Sequence, residues 1–345
     1  MKSKNSSRQV KVAVVGLGFM GVTHIKTYLK LKAAKIVAVC DSVRVPVNGV
    51  LPGVSGNITG SDAIDLGRKL KVYRDLKELL ADAEVELVDL CVPTPLHPAQ
   101  AIAALKAGKH VICEKPLALN SADGRKMVQA ARAAKGFFMP AMCMRFWPGW
   151  SLLKDIVKKK PYGAVQVASF RRLSPTPGWS KATYANGNLT GGALFDLHTH
   201  DTDFVQFLFG RPQSVYSTGV TRGGNSIDHV VTQYNYPRGP VVQAEGTWLL
   251  HGSFNMSYTV MCERATLDYD MARGAEALRI TEQGKKTRVI KCEATDGYTG
   301  ELRCMLEAIL AGKAPKVVTA EDGLSAVQIC EAETKSVKTG KVVPV

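Results

Sequence analysis

No apolar run in this chain of 345 residues approaches the roughly 20 residues that a bilayer-crossing helix needs. The first nine residues are polar and basic and lead straight into an apolar strand; they lack the apolar segment of a signal peptide, and a disordered tail on a cytoplasmic protein is expected. None of the eight cysteines stands in a C-x-x-C pair. Cys40, Cys91 and Cys113 fall at or near the ends of expected buried strands, where a reduced thiol behaves as a small hydrophobe. An even count is consistent with disulfides but does not require them. There is no internal repeat and no low-complexity segment beyond the tail. A long basic run is also missing, although the formal charge is +15. The densest cluster, Lys158 to Lys160, ends an expected helix, where lysines suit the dipole. With no nucleic-acid module in sight, the charge reads as a dispersed, solvated surface, with attraction of an anionic substrate as the second reading.

What is present is an ordinary globular composition, 46% hydrophobic and 22% charged, in a chain long enough for two domains. Its organising stretch is Val10 to His24. Val10–Val15 is a β-branched apolar run, as expected of a strand buried on both faces of a parallel sheet. Gly16, Gly18 and Gly21 follow as G-x-G-x-x-G, where the chain turns into a helix. Gly16 permits the turn, Gly18 lets backbone approach a pyrophosphate, and Gly21 lets helix pack on strand. The helix's free N–H groups and positive dipole end would hold the phosphates. A second apolar strand, Ile36 to Cys40, ends in Asp41, where a dinucleotide-binding unit places the carboxylate that accepts from the adenine ribose.

Residues 43–61 have no sustained period and read as a long loop beside the adenosine end of that site, followed by a helical stretch over 62–70. Strands at Val85–Val92, His110–Cys113 and Phe137–Met142 alternate with helices at Asp75–Leu80, Pro98–Ala107 and Ser121–Ala134. That alternation predicts a doubly wound parallel sheet over residues 1–145. Beyond Arg145 the pattern changes. Helices at Trp150–Lys159 and Gly192–Phe209 precede long alternating runs with turn signals at Pro237-Arg238-Gly239 and Gln283-Gly284, which predicts a large antiparallel sheet over 146–345. Of the closing helices, the one near 299–311 is expected on this second domain, and the last one back toward the first.

Three motifs then stand together: Gly-Leu-Gly-Phe-Met-Gly with His24, the tripeptide Glu114-Lys115-Pro116, and Gly191-Gly192-Ala-Leu-Phe-Asp196-Leu-His-Thr-His200-Asp-Thr-Asp203. With them the chain resembles the glucose–fructose oxidoreductase/inositol dehydrogenase (Gfo/Idh/MocA) family over nearly its whole length. The resemblance implies an α/β protein with an N-terminal Rossmann domain and a C-terminal α+β domain whose sheet is mostly antiparallel. It further implies NAD as cofactor (NADP as the alternative), a small sugar, inositol or related polyol as substrate, and a homodimer or homotetramer joined through the C-terminal sheet. No nucleic acid, membrane or metal partner is expected.

Lys115 follows the carboxyl end of a parallel strand, the edge where such sheets bind ligands. It could hydrogen-bond a substrate hydroxyl and stabilise an alkoxide, or act as base if its pKa is lowered; otherwise it is a surface lysine. In the family the Lys–Pro bond is often cis, and the same is expected here. Asp196 and His200, four apart, share a helix face with Asp203 close to it, and a carboxylate beside an imidazole can relay a proton. The family takes the position of His200 as acid/base and that of Asp196 as its partner. Read as H-x-H, His198 and His200 suggest a metallohydrolase, but residues two apart on a helix point about 200° apart and cannot share an ion. By the same resemblance Gly16, Gly18, Phe19, Met20, Gly21, Asp41, Ser42, Arg44, Pro93, Thr94, His97, Glu114, Lys115 and Arg145 face the cofactor. His24 reads as a packing residue, and Trp179 as a pocket wall or a buried interdomain residue. Asp41 would repel a 2′-phosphate and favour NAD, whereas Arg44 could accommodate one. Two other functions fit the same motifs: an NAD-dependent glycoside hydrolase working by oxidation and elimination, and a non-catalytic dinucleotide- or sugar-binding regulator.

Overall fold

The computed structural model describes residues 8–54, 56, 62–178, 180–222 and 226–345. Most of the N-terminal tail, part of the 43–61 loop and Trp179 lie outside the described residues. The chain divides into two compact units. One holds the chain up to Ala118 with Ala122–Met142 and Tyr298–Leu324; the other holds Leu119–Ser121, Cys143–Gly297 and Ser325–Val345.

The first unit runs β1 (Val10–Val15), α1 (Phe19–Tyr28), β2 (Ala34–Cys40), β3 (Val50–Leu51), β4 (Ile64–Asp65), β5 (Lys71–Tyr73), α2 (Leu76–Ala81), β6 (Leu87–Leu90), α3 (His97–Lys106), β7 (His110–Glu114), α4 (Ser121–Ala133) and β8 (Phe138–Ala141). Six of these strands form one parallel sheet in the order β5-β2-β1-β6-β7-β8. Its central strands β1, β6 and β7 are buried almost throughout, which is why they read as mostly apolar runs. Strand order reverses between β1 and β6, and a crevice for a ligand opens outside the carboxyl ends at such a reversal.

In the second unit α5 (Trp150–Lys159), β9 (Val165–Leu173), α6 (Lys181–Tyr184), α7 (Gly187–Thr190), a π-helical turn at Leu194–His198 and α8 (Thr199–Phe209) lead into β10 (Ser214–Val220), β11 (His229–Asn235), β12 (Val241–Thr247), β13 (Asn255–Cys262), β14 (Ala265–Asp270), β15 (Leu278–Glu282) and β16 (Arg288–Ile290). The chain closes with α9 (Gly297–Ala311), α10 (Ala320–Thr339) and β17 (Val343–Pro344). The nine-stranded sheet, ordered β16-β15-β14-β13-β9-β12-β11-β10-β17, is antiparallel except where β9 and β12 run parallel. Its strands alternate buried and accessible residues, as one covered face requires. On that face Trp150 meets Phe204 and Tyr258 edge-on, with ring centroids 4.9 and 5.2 Å apart.

The structure differs from the sequence expectation in three places. Residues 62–70 are not helical: Ile64–Asp65 pairs antiparallel with Val50–Leu51, and Gly67 sits at φ +79°, outside helical backbone. The helix expected over 192–209 contains a π turn at Leu194–His198. The closing helices are exchanged. α9 belongs to the first unit, its buried stripe Leu302, Met305, Leu306 and Ile309 continuing past Tyr298, whose ring is 6.2 Å from His24. From Ser325 onward α10 belongs to the second, where Ser336 Oγ accepts the Ser217 N–H (2.8 Å) and Glu333 Oε1 the Tyr234 hydroxyl (2.8 Å). An apolar stripe says that a helix packs, not on which sheet.

Candidate functional site

The glycine turn at the carboxyl end of β1 has the mechanics of a dinucleotide cradle. Gly16 adopts φ +86°, and a Cβ there would lie 2.6 Å from Cys91 O. A Cβ on Gly21 would stand 1.9 Å from Gly16 O, so only glycine lets α1 pack this close to the turn. Gly18 is the N-cap of α1 and has open space where its Cβ would be, so the turn presents backbone and free helix N–H groups. Asp41 Oδ2 accepts the Leu17 N–H (2.7 Å), and Oδ1 accepts those of Val43 (2.9 Å) and Arg44 (2.8 Å). The carboxylate is thereby aimed, and a carboxylate has about four lone-pair sites, so it can still accept from a ribose. The Arg44 guanidinium is committed to carbonyls of the following loop, Pro52 O and Gly53 O. Ser42 is exposed and passes its carbonyl to Arg74 Nη1 (3.2 Å). Phe19 and Met20 are half-buried at the start of α1, Phe19 lying against Gly56.

At the end of β6 Pro93 is exposed, while Thr94 and His97 are buried. His97 Nε2 lies 2.9 Å from Val92 O and Nδ1 3.0 Å from Pro116 O, so one ring ties the β6 turn to the loop after β7. Burial lowers its pKa; a ring neutral at pH 7 donates only one of these contacts. The Lys115–Pro116 bond is cis, as expected. Lys115 is half-exposed between buried neighbours, whereas the Glu114 carboxylate turns inward. Its Oε2 accepts the Lys115 N–H (3.1 Å), and its Oε1 lies 3.2 Å from His24 Nε2.

In the second unit Asp196 and His200 alone are not buried between Gly192 and Gln206. The other polar groups of that stretch serve structure. Asp203 is taken by Arg145, which donates Nε to Oδ2 (2.8 Å) and Nη2 to Oδ1 (2.7 Å) over the Phe207 ring. Asp201 is held in the same way by Arg172 (2.7 and 3.2 Å). His198 is fully buried, with Nε2 3.2 Å from Tyr234 Oη and 3.4 Å from Glu333 Oε1. Asp203, expected beside Asp196 and His200, is thus a buried ion-pair partner instead, and Arg145, expected at the cofactor, is its counter-ion within the second unit.

Sequence reasoning missed the buried acids Asp89, Asp201, Glu301 and Glu333. Their signal was a charged residue inside an otherwise apolar stripe, as at Asp89 in Leu-Val-Asp-Leu. Among the described residues the groupings with the composition of a metal site, His24 with Asp89 and Cys91 and His24 with Glu114 and Glu301, share one histidine.

A reversed parallel sheet, a glycine cradle and an aimed acid after the second strand define a dinucleotide-binding domain. Residues 10–142 match the model of the oxidoreductase family with NAD-binding Rossmann fold (GFO/IDH/MocA), and residues 150–268 match the GFO/IDH/MocA C-terminal domain. The chain belongs to the GFO/IDH/MocA oxidoreductase family. It is 24% identical over 344 residues to myo-inositol 2-dehydrogenase of Thermotoga maritima, covering 95% of this chain and 96% of that one. It is 28% identical over 279 residues to levoglucosan dehydrogenase of Pseudarthrobacter phenanthrenivorans, covering 72% and 70%. The solved levoglucosan dehydrogenase complex with NADH superposes with a TM-score of 0.83 at 20% identity, covering 98% of this chain and 99% of that one. NAD is the cofactor of the first domain, and the open face at Gly18 and the aimed Asp41 carboxylate fit it. Among the described residues no helix is long and apolar enough to cross a membrane.

Proposed function

We propose that the protein is a dehydrogenase or reductase of a cyclic polyol or sugar, with Lys115, Asp196 and His200 carrying the chemistry. The observation that carries this reading is the accessibility of Asp196 and His200 in a stretch that is otherwise buried. When bound, NAD supplies the hydride acceptor. Lys115 donates a hydrogen bond to the reacting hydroxyl oxygen and stabilises the charge that grows on it. His200 takes the hydroxyl proton, with Asp196 holding its imidazole. A panel of myo-inositol, levoglucosan, aldoses and sugar acids, followed by nicotinamide absorbance, tests it: at least one cyclic compound is expected to give turnover. Release of an aryl leaving group with no net absorbance change would instead mark a glycoside hydrolase.

The preferred cofactor is NAD. Asp41 sets a negative charge where a 2′-phosphate would sit, and Arg44 is drawn to loop carbonyls. Titration of protein fluorescence is expected to give NAD at least about tenfold tighter binding than NADP, and Asp41→Ala is expected to narrow the gap; tighter NADP binding refutes the assignment. We also propose that the accessible face of the nine-stranded sheet joins copies of the chain. Val241 and Met261, 57% and 45% exposed, both stand opposite Val167 of β9 and so form an apolar row across three strands. Light scattering is expected to return a dimer or tetramer, and a monomer at micromolar concentration contradicts it.

A further inference from the structure

His24 lies in the first unit, wholly buried and ringed by Asp89, Glu114 and Glu301. Its Nδ1 is 2.8 Å from Asp89 Oδ2 and 3.4 Å from Cys91 Sγ, at the end of β6. Its Nε2 is 3.2 Å from Glu114 Oε1 on β7 and 3.7 Å from Glu301 Oε1 on α9. The Tyr28 side chain on α1 and the Tyr298 ring on α9 complete the surround. Asp89, Glu301 and the ring itself are 0% exposed. Uncompensated carboxylates in such a place are strongly disfavoured.

We propose that His24 is a positioning residue: bridging Asp89 and Glu114, it fixes the Glu114 carboxylate under the Lys115 backbone amide and so sets where the Lys115 ammonium stands. Two hydrogen bonds flank one ion-pair contact: Nδ1 with Asp89 Oδ2 at 2.8 Å, then Nε2 at 3.2 Å from Glu114 Oε1 without hydrogen-bond geometry, then the Lys115 N–H donating to Glu114 Oε2 at 3.1 Å. The acids also hold a proton on the ring. Burial opposes the charged form, but Asp89 and its hydrogen bond overcome this and raise the His24 pKa well above 6.5, while the same contact holds Glu114 below its ordinary value against burial. Deprotonating the ring would free Glu114 from one side and leave its grip on Lys115 loose. A misplacement near one ångström costs a reacting group about a hundredfold.

The inference rests on Lys115 acting at the substrate, and its test separates the two claims. His24→Asn puts an amide where Nδ1 was, keeping Asp89 and abandoning Glu114; His24→Gln reaches to the Nε2 position and keeps Glu114. With the panel sugar that the wild type oxidises, His24→Asn is expected to lose at least about tenfold in kcat with KM and NADH affinity within about threefold, and His24→Gln to recover most of the loss. Equal kcat in the two folded variants overturns the proposal, as does a loss that appears only in thermal stability. Should either variant fail to fold, Glu114→Gln, which keeps an acceptor for the Lys115 N–H, is expected to show the same kcat loss, and wild-type kcat there overturns it. Nitrogen-15 histidine spectra of the wild type at pH 7.5 need no substrate: His24 is expected doubly protonated, and a neutral tautomer overturns the proposal. If Lys115→Ala turns over normally, the functional reading has failed. If Lys115→Ala is dead while both His24 variants match wild type, positioning alone has.

Discussion

Lys115→Ala will lower kcat by about a thousandfold and leave NADH affinity within about threefold. A group that donates to developing negative charge, or moves a proton in the transition state, is worth about 10²–10⁴ in rate. Lys115 is the half-exposed side chain after β7, and its backbone is held by Glu114 on one side and, through Pro116 O, by His97 on the other. The phosphates, by contrast, are offered the Gly16–Gly21 turn and the N-terminus of α1, which the substitution does not touch. Binding and rate therefore separate. Lys115→Arg will not restore turnover, because a planar guanidinium cannot occupy the place of a compact ammonium. Stopped-flow rates with saturating sugar and fluorescence titration with NADH read the two quantities independently. Turnover within tenfold of wild type would remove Lys115 from the chemistry, and an equal fall in NADH affinity would make it a cofactor ligand only. A non-catalytic regulator predicts neither the rate loss nor any rate to lose.

Much of this was legible in the residues, for reasons that differ by element. The parallel sheet could be read because its strands are buried on both faces and so appear as apolar runs, each followed by a helix. The glycine turn could be read because Gly16 and Gly21 leave no room for a side chain. Trp150–Lys159 could be read from its apolar stripe and the lysines at its end. What failed were features set by partners distant in sequence. Ile64–Asp65 is a strand only because Val50–Leu51 lies beside it. The placement of α9 on the first unit depends on His24 and its surroundings, and no periodicity within residues 297–311 encodes that. Polar residues were the hardest. His24, His97, His198 and Asp203 have the composition of a site, but burial makes each of them part of the scaffold, while Asp196 and His200, drawn from the same polar stretch, are only half-buried.

Arg145 illustrates that distinction in energetic terms. Its side chain is 2% exposed and that of Asp203 1%, the two joined by paired hydrogen bonds of 2.7 and 2.8 Å, with Gln206 Nε2 adding a third donor at 3.2 Å. Arg145→Ala leaves a carboxylate in the core with that amide as its remaining side-chain donor, and breaking a buried pair from one side costs about 3–5 kcal/mol. The unfolding midpoint in urea is expected to fall accordingly. Replacing both partners by apolar residues, Arg145→Met with Asp203→Leu, removes the stranded charge and is expected to recover most of the loss, because desolvating the pair consumes much of what its attraction returns. The double variant thus distinguishes a scaffold pair from a cofactor ligand. If Arg145 served the dinucleotide, stability would return in the double variant while NADH affinity stayed low. If it serves the fold, as its bidentate grip on Asp203 indicates, affinity returns together with stability. A single variant with an unchanged urea midpoint would show that the pair adds nothing to the second unit.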